Sequence, residues 1–382
     1  MYQKFIINQD GVLRFGTVFL HKDLLADGEH CVYGGGLWKI DEKSGAIMLF
    51  GRSFDFGSPD FDNLRKIEWT GAGGKACPIL YLPKWPDDTV VQRVFAKDNE
   101  RTRVLVTGAS GFLGSRMAWF LEEKCGFEIY SPSHKEMEIT EIDSCMMAVS
   151  SFKPDYVIHC AAISSTAFCK DNPEASRKTN IDGTCNVVCA ASMNGARCIY
   201  MSSDQVYHNG TNKWTQTFRE EDVDLQNNPP VNVYARDKLM MEMKAQEIDA
   251  SAIALRLSWM YDSKETSSMP DCPERLKENH GIIANIENAK INGTTIKACI
   301  YERRGVTDVW EVVRKVAEII KKKEVPGGVY NCGSECSCTT YELYLQFAGQ
   351  FGLDKTLVLP DDSFSRSLAM DTTKISKILF FF

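Results

Sequence analysis

A short apolar segment that leads into three evenly spaced glycines constrains the fold of this chain more than any other feature. Residues 103–107 form a β-branched and apolar run, which predicts a buried parallel strand. Gly108, Gly111 and Gly114 follow at three-residue spacing, and residues 112–121 then have the apolar pattern of a helix. A strand, a glycine turn and a helix in this order predict a phosphate cradle, because the helix N-terminus offers N–H groups. The spacing differs from the G-x-G-x-x-G fingerprint, and a turn without a ligand is the alternative.

Strands and helices continue to alternate after the glycine run. The pattern predicts strands at 128–131, 156–160, 198–201 and 252–257, and helices that include 181–193 and 233–247. This alternation predicts an α/β fold, a Rossmann-type doubly wound parallel sheet covered by helices on both faces. Ligands of such sheets bind at the carboxyl ends of the strands. Gly108, Ala161, Ser203 and Ser258 each follow a predicted strand, so we expect them to converge on one crevice.

Tyr234 and Lys238 are one helical turn apart and therefore share a face of the predicted helix. A free phenol has a pKa of about 10 and is a poor proton donor near neutrality. A neighbouring ammonium stabilises the phenolate and lowers that pKa. The spacing arises often by chance, so its significance depends on the glycine run and on Ser203, which lies between the two features.

Six motifs follow one another in an order that is typical of one protein family. They are Thr-Gly-Ala-Ser-Gly-Phe-Leu-Gly at 107–114, His-Cys-Ala-Ala at 159–162, Asn-Ile-Asp-Gly-Thr at 180–184, Ser-Ser-Asp-Gln-Val-Tyr at 202–207, Tyr-Ala-Arg-Asp-Lys at 234–238 and Arg-Leu-Ser-Trp-Met-Tyr at 256–261. Through them, residues 102–378 resemble the extended short-chain dehydrogenase/reductase family, within the NAD-dependent epimerase/dehydratase superfamily. The segments 304–309 and 368–374 resemble its dTDP-4-dehydrorhamnose reductase branch.

The resemblance implies catalytic roles for three residues. Tyr234 would donate a proton to a carbonyl oxygen as hydride arrives. Lys238 would lower the pKa of Tyr234 and bond the nicotinamide ribose, and Ser203 would orient the carbonyl. A strand-end serine that caps a turn is the alternative for Ser203. Asn180 would either support the site or cap the helix that begins at Ile181, and the sequence leaves both open.

The resemblance also implies two sets of binding residues. The cofactor would contact Gly108, Ser110, Gly111, Phe112, Leu113, Gly114, Ser131, Lys135, Glu138, Ile139, Cys160, Ala161, Ala162, Asn180, Tyr234, Lys238 and Ser258. The substrate would contact Ser164, Ser203, Trp259 and Arg304. An NAD enzyme places an acid at the end of its second strand, whereas this chain has Ser131 and then Lys135. Hydroxyls and a lysine suit a 2′-phosphate, so NADP(H) is favoured and NAD(H) is the alternative.

The function implied is NAD(P)H-dependent reduction of a 4-keto nucleotide-activated deoxysugar. The alternatives are a nucleotide-sugar epimerase and a non-catalytic NADP-binding regulatory subunit, such as those of methionine adenosyltransferase. Related dehydratases carry an Asp-Glu pair where this chain has Asp204-Gln205, and an amide cannot take a proton as a carboxylate does. Dehydration is therefore disfavoured. The polar segment 262–278 departs from the usual reductase pattern and is either a substrate lid or a solvated loop.

The first hundred residues predict a separate, mainly β accessory domain of unknown function. Strand patterns cover residues 4–7, 12–20, 37–40 and 46–50, with a hairpin turn at 41–45 and a linker at 83–88 and 97–101. Gly34 to Gly36 are interpreted as a flexible or tight segment. Residues 101–382 form the reductase-like domain, with a nucleotide-binding core at about 102–260 and a substrate lobe at about 261–382.

Composition excludes several classes of partner. The net charge is −7 and the chain has no basic tract, so neither nucleic acid nor an anionic membrane is expected. The start of the chain lacks a signal-peptide pattern, so we expect a cytoplasmic protein whose 14 cysteines are mostly reduced. Cys332, Cys336 and Cys338 cluster without a second ligand pair, so no metal site is predicted. A homodimer, or a partner of the accessory domain, is left open.

Overall fold

The computed structural model describes residues 101–210, 213–262, 281–335 and 338–380 continuously, together with Pro273 and Leu276. Within the first hundred residues it describes 2–8, 13–18, 25, 27, 31–40, 47–50, 69–70, 76–77 and 79–82. The predicted linker at 83–88 and 97–100, and most of the polar segment 262–278, lie outside these residues. The chain divides into two compact units, Met1–Glu100 with Ser192–Gly195, and Arg101–Ala191 with Ala196–Phe382.

The strands of the first hundred residues form a five-stranded sheet and a separate two-stranded pair. They are β1 (Tyr2–Asn8), β2 (Leu13–Val18), β3 (Cys31–Ile40), β4 (Ile47–Phe50), β5 (Trp69–Thr70), β6 (Ala76–Cys77) and β7 (Ile79–Leu82). The larger sheet has the order β2-β1-β3-β4-β7, and β5 pairs with β6. The antiparallel pairing of β3 with β4, from Leu37 opposite Phe50 to Ile40 opposite Ile47, confirms both strands of the predicted hairpin.

The three consecutive glycines are not a turn. Gly35 and Gly36 lie within β3 and pair with Ile6 and Phe5 of β1. The interpretation of Gly34 to Gly36 as a flexible or tight segment was therefore wrong. The cross-strand partners Phe5 and Ile6 are fully buried, so the glycines of β3 lie opposite buried apolar residues of β1.

A six-stranded parallel sheet forms the centre of the second unit, which confirms the predicted Rossmann-type fold. Its strands are β8 (Arg103–Thr107), β9 (Glu128–Tyr130), β10 (Tyr156–His159), β11 (Arg197–Ser203), β13 (Ile253–Leu257) and β18 (Gly328–Asn331), of which the last was not predicted. Their spatial order is β18-β13-β11-β10-β8-β9, and every adjacent pair is parallel. The order reverses between β8 and β10, and the carboxyl ends of strands at such a switch point form a ligand crevice.

Helices cover this sheet and extend into a smaller lobe. They are α1 (Phe112–Glu123), α2 (Ile142–Phe152), α3 (Thr166–Asp171), α4 (Pro173–Arg177), α5 (Thr184–Met193), α6 (Val233–Ile248), α7 (Gly281–Asn292), α8 (Val309–Lys322), α9 (Thr340–Phe351) and α10 (Thr373–Phe380), with a π-helix at Lys178–Gly183 and 3₁₀ turns at Asp204–Tyr207 and Lys355–Leu357. Local signals account for several ends: Asp308 caps α8, and α9 has a Thr339/Glu342 capping box and ends at left-handed Gly352.

Short strands form part of the smaller lobe. They are β12 (Thr217–Phe218), β14 (Trp259–Tyr261), β15 (Ile296–Cys299), β16 (Glu302–Arg304), β17 (Val306–Asp308), β19 (Val358–Asp361) and β20 (Arg366–Met370). They form the sheets β12-β20-β16, β14-β17 and β15-β19. β14 begins one residue after β13 ends. Trp259, the first residue of β14, is therefore held close to the carboxyl end of a strand of the main sheet. Among the residues that the structure describes, no helix is long and apolar enough to cross a membrane.

Candidate functional site

The glycine turn joins β8 to α1 at the switch point and uses its three glycines differently. Gly108 has a φ of +66°, and a Cβ there would lie 2.6 Å from the backbone N of Ala161. A Cβ on Gly114 would lie 2.2 Å from the carbonyl oxygen of Gly108. A Cβ on Gly111, by contrast, would meet that oxygen at 3.3 Å. Gly108 and Gly114 are therefore required by backbone packing, whereas Gly111 leaves space in front of the helix.

Gly111 is also the N-cap of α1, with extended backbone, and as a glycine it has no side chain that could cap this helix end. Ser110 and Gly111 are exposed, while the side chain of Leu113 packs into the core beside the half-buried Phe112. A ligand can therefore reach the backbone N–H groups of the first turn. This arrangement is suited to a phosphate group.

The second predicted cofactor segment begins at the carboxyl end of β9. Ser131 and Lys135 are both exposed, so each can reach a ligand. Glu138 is committed elsewhere, since its Oε1 accepts hydrogen bonds of 2.9 Å from both the N and Oγ1 of Thr140. Ile139 is buried, and its side chain lies 3.0 Å from the position of a Cβ on Gly183.

A neutral histidine anchors the end of β10 to the glycine turn. His159 Nδ1 lies 2.7 Å from Thr107 Oγ1, and its Nε2 lies 3.0 Å from Thr184 Oγ1. Burial lowers the pKa of His159 to about 3, with Lys238 contributing in the same direction. The backbone N of Ala161 donates to Thr107 Oγ1 at 3.3 Å. Cys160, Ala161 and Ala162 therefore begin at a fixed position beside Gly108.

Asn180 lies inside the π-helix and is fully buried, so it does not cap a helix that begins at Ile181. Its Oδ1 accepts from the N of Ile163 at 2.9 Å, and its Nδ2 donates to the carbonyl oxygen of Ile163 at 3.0 Å. Asn180 thus holds the segment that follows Ala162, where Ser164 is exposed. The support role, one of the two that the sequence leaves open, agrees with these contacts.

Ser203, Tyr234 and Lys238 meet at the carboxyl end of β11. Ser203 ends that strand, and it is near enough to Tyr234 on α6 for its hydroxyl to lower the pKa of the Tyr234 phenol. Lys238 Nζ lies 5.9 Å from the centre of the Tyr234 ring and donates to the carbonyl oxygen of Met201 at 2.8 Å. The exposed fractions of Tyr234 and Lys238 are 9% and 3%. The sequence-predicted catalytic residues therefore form one buried cluster.

The electrostatics of this cluster differ from the sequence-based expectation. Burial raises the pKa of Tyr234 well above its ordinary value; the hydrogen bond with Ser203 opposes this rise, and the Asp204 carboxylate adds to it. Lys238 is not among the main influences on this pKa, so the lowering expected from it does not set the protonation of Tyr234. Burial also lowers the pKa of Lys238 to about 8, although the Glu242 carboxylate opposes that change. An ammonium with a pKa near 8 is charged only part of the time in mildly alkaline solution.

The start of α6 is hydrogen-bonded to Gln205, the position at which the resemblance predicts a glutamate in dehydratases. Asn232 caps α6 by accepting from the N of Ala235 at 2.8 Å, and its Nδ2 donates to Gln205 Oε1 at 3.3 Å. Gln205 is buried. Its amide therefore helps to position the helix that carries Tyr234, a role that the sequence did not reveal.

The substrate side of the cluster contains a buried ion pair that the sequence analysis did not predict. Arg304 Nη2 lies 3.0 Å from Asp204 Oδ2, and Arg304 Cζ lies 5.1 Å from the centre of the Trp259 ring. Trp259 in turn contacts Tyr344 edge to face. Ser203 Oγ donates to Asp204 Oδ1 at 3.2 Å, so Ser203, Trp259 and Arg304, three of the four predicted substrate residues, are linked through Asp204 and Arg304.

Ser258 is engaged away from the crevice. It is buried, and its hydroxyl bonds that of Thr307, which also accepts from the backbone N of Ser334 at 2.7 Å. A Cβ on Gly333 would lie 2.7 Å from the same hydroxyl. Its proposed cofactor contact would therefore have to come from the backbone. Among the described residues, no three His, Cys, Asp or Glu side chains are grouped to hold a metal ion.

Comparisons with known proteins agree with this fold. Residues 102–378 match the family described as the RmlD substrate binding domain. The methionine adenosyltransferase 2 subunit beta of Bos taurus is 26% identical over 268 residues, covering 68% of this chain and 75% of that protein. A dTDP-4-dehydrorhamnose reductase of Aggregatibacter actinomycetemcomitans is 25% identical over 259 residues, covering 67% of this chain and 81% of that protein.

Solved structures show the same architecture. The dTDP-4-dehydrorhamnose reductase of Bacillus anthracis, solved in complex with NADP, superimposes with a TM-score of 0.62 at 20% identity. The match covers 74% of this chain and 93% of that one. Nearly all of that protein therefore has a counterpart here.

Proposed function

We propose that this chain, which belongs to the RmlD substrate binding domain family, is an NADP(H)-dependent oxidoreductase that reduces a 4-keto nucleotide-activated deoxysugar. The observation that carries the proposal is the meeting of Ser203, Tyr234 and Lys238 at the edge of the sheet where the glycine turn opens. The relative from Aggregatibacter actinomycetemcomitans supports the substrate class by its name. The NADP complex of the Bacillus anthracis protein supports the cofactor.

The residues of this chain fit a dinucleotide. Gly111 leaves the N-terminus of α1 open to a pyrophosphate, and Ser131 and Lys135 are exposed where an adenosine 2′-phosphate would be recognised. Lys238, buried beside Tyr234, would hold the nicotinamide ribose. The bound nicotinamide supplies the hydride.

The protein groups then handle the proton. Tyr234 holds the proton that the carbonyl oxygen takes up, and burial keeps this phenol protonated until it is used. Ser203 orients the carbonyl through its hydroxyl. Trp259 offers an apolar face to the sugar, with Arg304 beside it. These positions support reduction, in which one hydride and one proton add across the C=O bond.

Turnover with a panel of 4-keto nucleotide sugars, using NADPH and NADH separately, tests the proposal. Tyr234→Phe keeps the ring and removes the proton donor, so we expect kcat to fall by roughly two to four orders of magnitude. The affinity for NADPH, measured by calorimetry, should change little. Near wild-type turnover by Tyr234→Phe would show that the assigned mechanism is wrong.

A regulatory role is the second candidate, because a subunit beta of methionine adenosyltransferase is among the relatives. In that case the chain would bind NADP(H) and a methionine adenosyltransferase catalytic subunit, and Tyr234→Phe would leave this association unchanged. Co-elution with that catalytic subunit, together with no turnover across the sugar panel, would favour this candidate. Turnover without co-elution would favour the reductase.

A further inference from the structure

A buried carboxylate lies directly behind the serine of the catalytic cluster. Asp204 is 1% exposed, and Ser203 Oγ donates to its Oδ1 at 3.2 Å. Arg304 reaches the same carboxylate from the lobe, with its Nη2 3.2 Å from Oδ1 and 3.0 Å from Oδ2. A continuous chain of polar contacts therefore runs from Tyr234 through Ser203 and Asp204 to Arg304.

The direction of these hydrogen bonds restricts what Ser203 can do. A serine hydroxyl carries one proton and two lone pairs. Ser203 gives its proton to Asp204 and accepts from the backbone N of Gln205 at 3.2 Å. While it does so, Ser203 cannot also donate to the Tyr234 oxygen, which is the direction that lowers the Tyr234 pKa. In this arrangement Ser203 has no proton left for a substrate carbonyl or for a Tyr234 phenolate.

Arg304 weakens the hold of Asp204 on that proton. Its Nη2 contacts both carboxylate oxygens, so the guanidinium partly neutralises the charge of Asp204. The guanidinium itself lies beside the Trp259 ring. The Nε of Arg304 is buried, and no described group accepts a hydrogen bond from it. The guanidinium is thus retained in an incompletely satisfied position, where its identified polar partner is Asp204.

We propose that Asp204 and Arg304 are a positioning pair, which decides whether the Ser203 proton points at the carboxylate or at the reacting oxygen and the Tyr234 phenolate. This inference rests on the proposed reductase function. It assigns to Arg304 a role through Ser203, in addition to any contact with substrate. It also explains why an ion pair is buried at a point where a carboxylate alone would hinder the reaction.

The charged and titratable groups around the two residues support this assignment. The groups from other elements that act on Tyr234 are Ser203 and Asp204 at the end of β11, Cys169 on α3 and Arg304 on β16. Lys238 lies on the same helix as Tyr234. Asp204 faces Arg304 and, more weakly, Arg366. Burial raises the pKa of Asp204, and Arg304 is the main opposing influence. Asp204 raises the pKa of Tyr234, whereas Arg304 lowers it.

The pH profile of kcat separates this role from a structural one. Reduction requires protonated Tyr234, so kcat falls as the pH rises through the Tyr234 pKa; this limb lies above the pKa of about 8 at which Lys238 loses its charge. Asp204→Asn removes the carboxylate, so we expect the alkaline limb to move to lower pH by about one unit. Arg304→Gln leaves the carboxylate uncompensated, so the limb should move to higher pH. Arg304→Lys retains the charge, so its alkaline limb should stay near the wild-type position.

Asp262→Asn is the matched control. Asp262 is also a buried aspartate in an ion pair, with Arg116 Nε 2.8 Å away, but it is not among the groups that act on Tyr234. Its loss should leave the limb in place, whatever it does to stability. If Asp204→Asn and Arg304→Gln move the limb in the same direction, or neither moves it, the proposal is overturned. If Asp204→Asn does not fold, the comparison of Arg304→Gln with Arg304→Lys decides the question.

A failure of the reductase function would be visible separately. Wild-type protein would then turn over no sugar, and the pair would be tested by NMR of ¹³C-tyrosine-labelled protein with NADPH. The Tyr234 resonance is the one that Tyr234→Phe removes. We expect it to titrate at lower pH in Asp204→Asn than in wild type. An unchanged titration would overturn the positioning role independently of turnover.

Discussion

Replacing the glycines of the turn one at a time should separate backbone packing from ligand binding. A Cβ on Gly114 would lie 2.2 Å from the Gly108 oxygen, and one on Gly108 would lie 2.6 Å from the N of Ala161. Non-bonded heavy atoms prefer separations of about 3.5 Å. Gly114→Ala and Gly108→Ala therefore force the backbone to move, whereas the 3.3 Å contact at Gly111 requires a shift of a few tenths of an ångström.

The expected magnitudes follow from these contacts. Gly108→Ala adds left-handed strain of about 1–2 kcal/mol to an overpacking cost of about 1–3 kcal/mol, so it should strongly destabilise the nucleotide-binding unit. Gly111 has a φ of −84°, which any residue adopts. Gly111→Val should therefore cost stability of about 1 kcal/mol or less. Gly111→Val should lower the free energy of NADPH binding by more than it lowers stability. Hydrogen bonds to a charged phosphate contribute about 1.5–3 kcal/mol, so their loss should raise the Kd roughly ten- to hundredfold.

Thermal unfolding and calorimetric titration with NADPH are the two assays. We expect Gly111→Val to unfold close to the wild-type temperature and to bind NADPH weakly, with Gly111→Ala intermediate. Gly108→Ala should unfold at a clearly lower temperature. A folded Gly111→Val protein with wild-type NADPH affinity would refute the phosphate cradle. Wild-type stability of Gly114→Ala would refute the packing argument.

Three further predictions address the proton donor, the buried histidine and the first hundred residues. Lys238→Met should lower kcat by about a hundredfold or more and weaken NADPH binding, and steady-state kinetics with calorimetry would show whether both change. His159 has a folded pKa of about 3 against an unfolded value of about 6.5, so the unfolded state takes up its proton first as the pH falls. Stability should be complete above pH 6.5 and about 2 kcal/mol lower at pH 5; denaturant unfolding at both pH values should show a smaller loss in His159→Asn. A chain that starts at Arg101 should fold and bind NADPH by calorimetry, whereas an insoluble product would mean that the first hundred residues share its core.

The central sheet could be predicted because its buried strands are short apolar runs between helical patterns. Tyr156–His159 and Ile253–Leu257 are buried along their whole length, and each is apolar apart from one residue, His159 in the first and Arg256 in the second. The strand Gly328–Asn331 was missed because its four residues include a glycine and an asparagine. The run Gly34 to Gly36 predicts a flexible or tight segment because glycine usually weakens a strand. Only the pairing of β3 with β1 shows that these glycines belong to a strand.

The cluster of Ser203, Tyr234 and Lys238 could be predicted in part. Tyr234 and Lys238 are separated by one helical turn, so their common face is a local property. The pair of Asp204 with Arg304 joins residues one hundred positions apart, and no local pattern reveals it. The pKa of Tyr234 is likewise beyond sequence patterns, because it depends on burial by several elements.

Gln205 is next to Asp204 in the sequence and also contacts the start of the helix that carries Tyr234. An amide at this position stays neutral, so it adds no second charge beside the buried Asp204 carboxylate. Its Oε1 still accepts from Asn232, the residue that caps the helix of Tyr234. A glutamate could accept the same bond, but its charge would raise the Tyr234 pKa further and compete with Asp204 for Arg304. In the proposed reduction, the neutral Gln205 therefore leaves the pKa of Tyr234, the proposed proton donor, without this further rise.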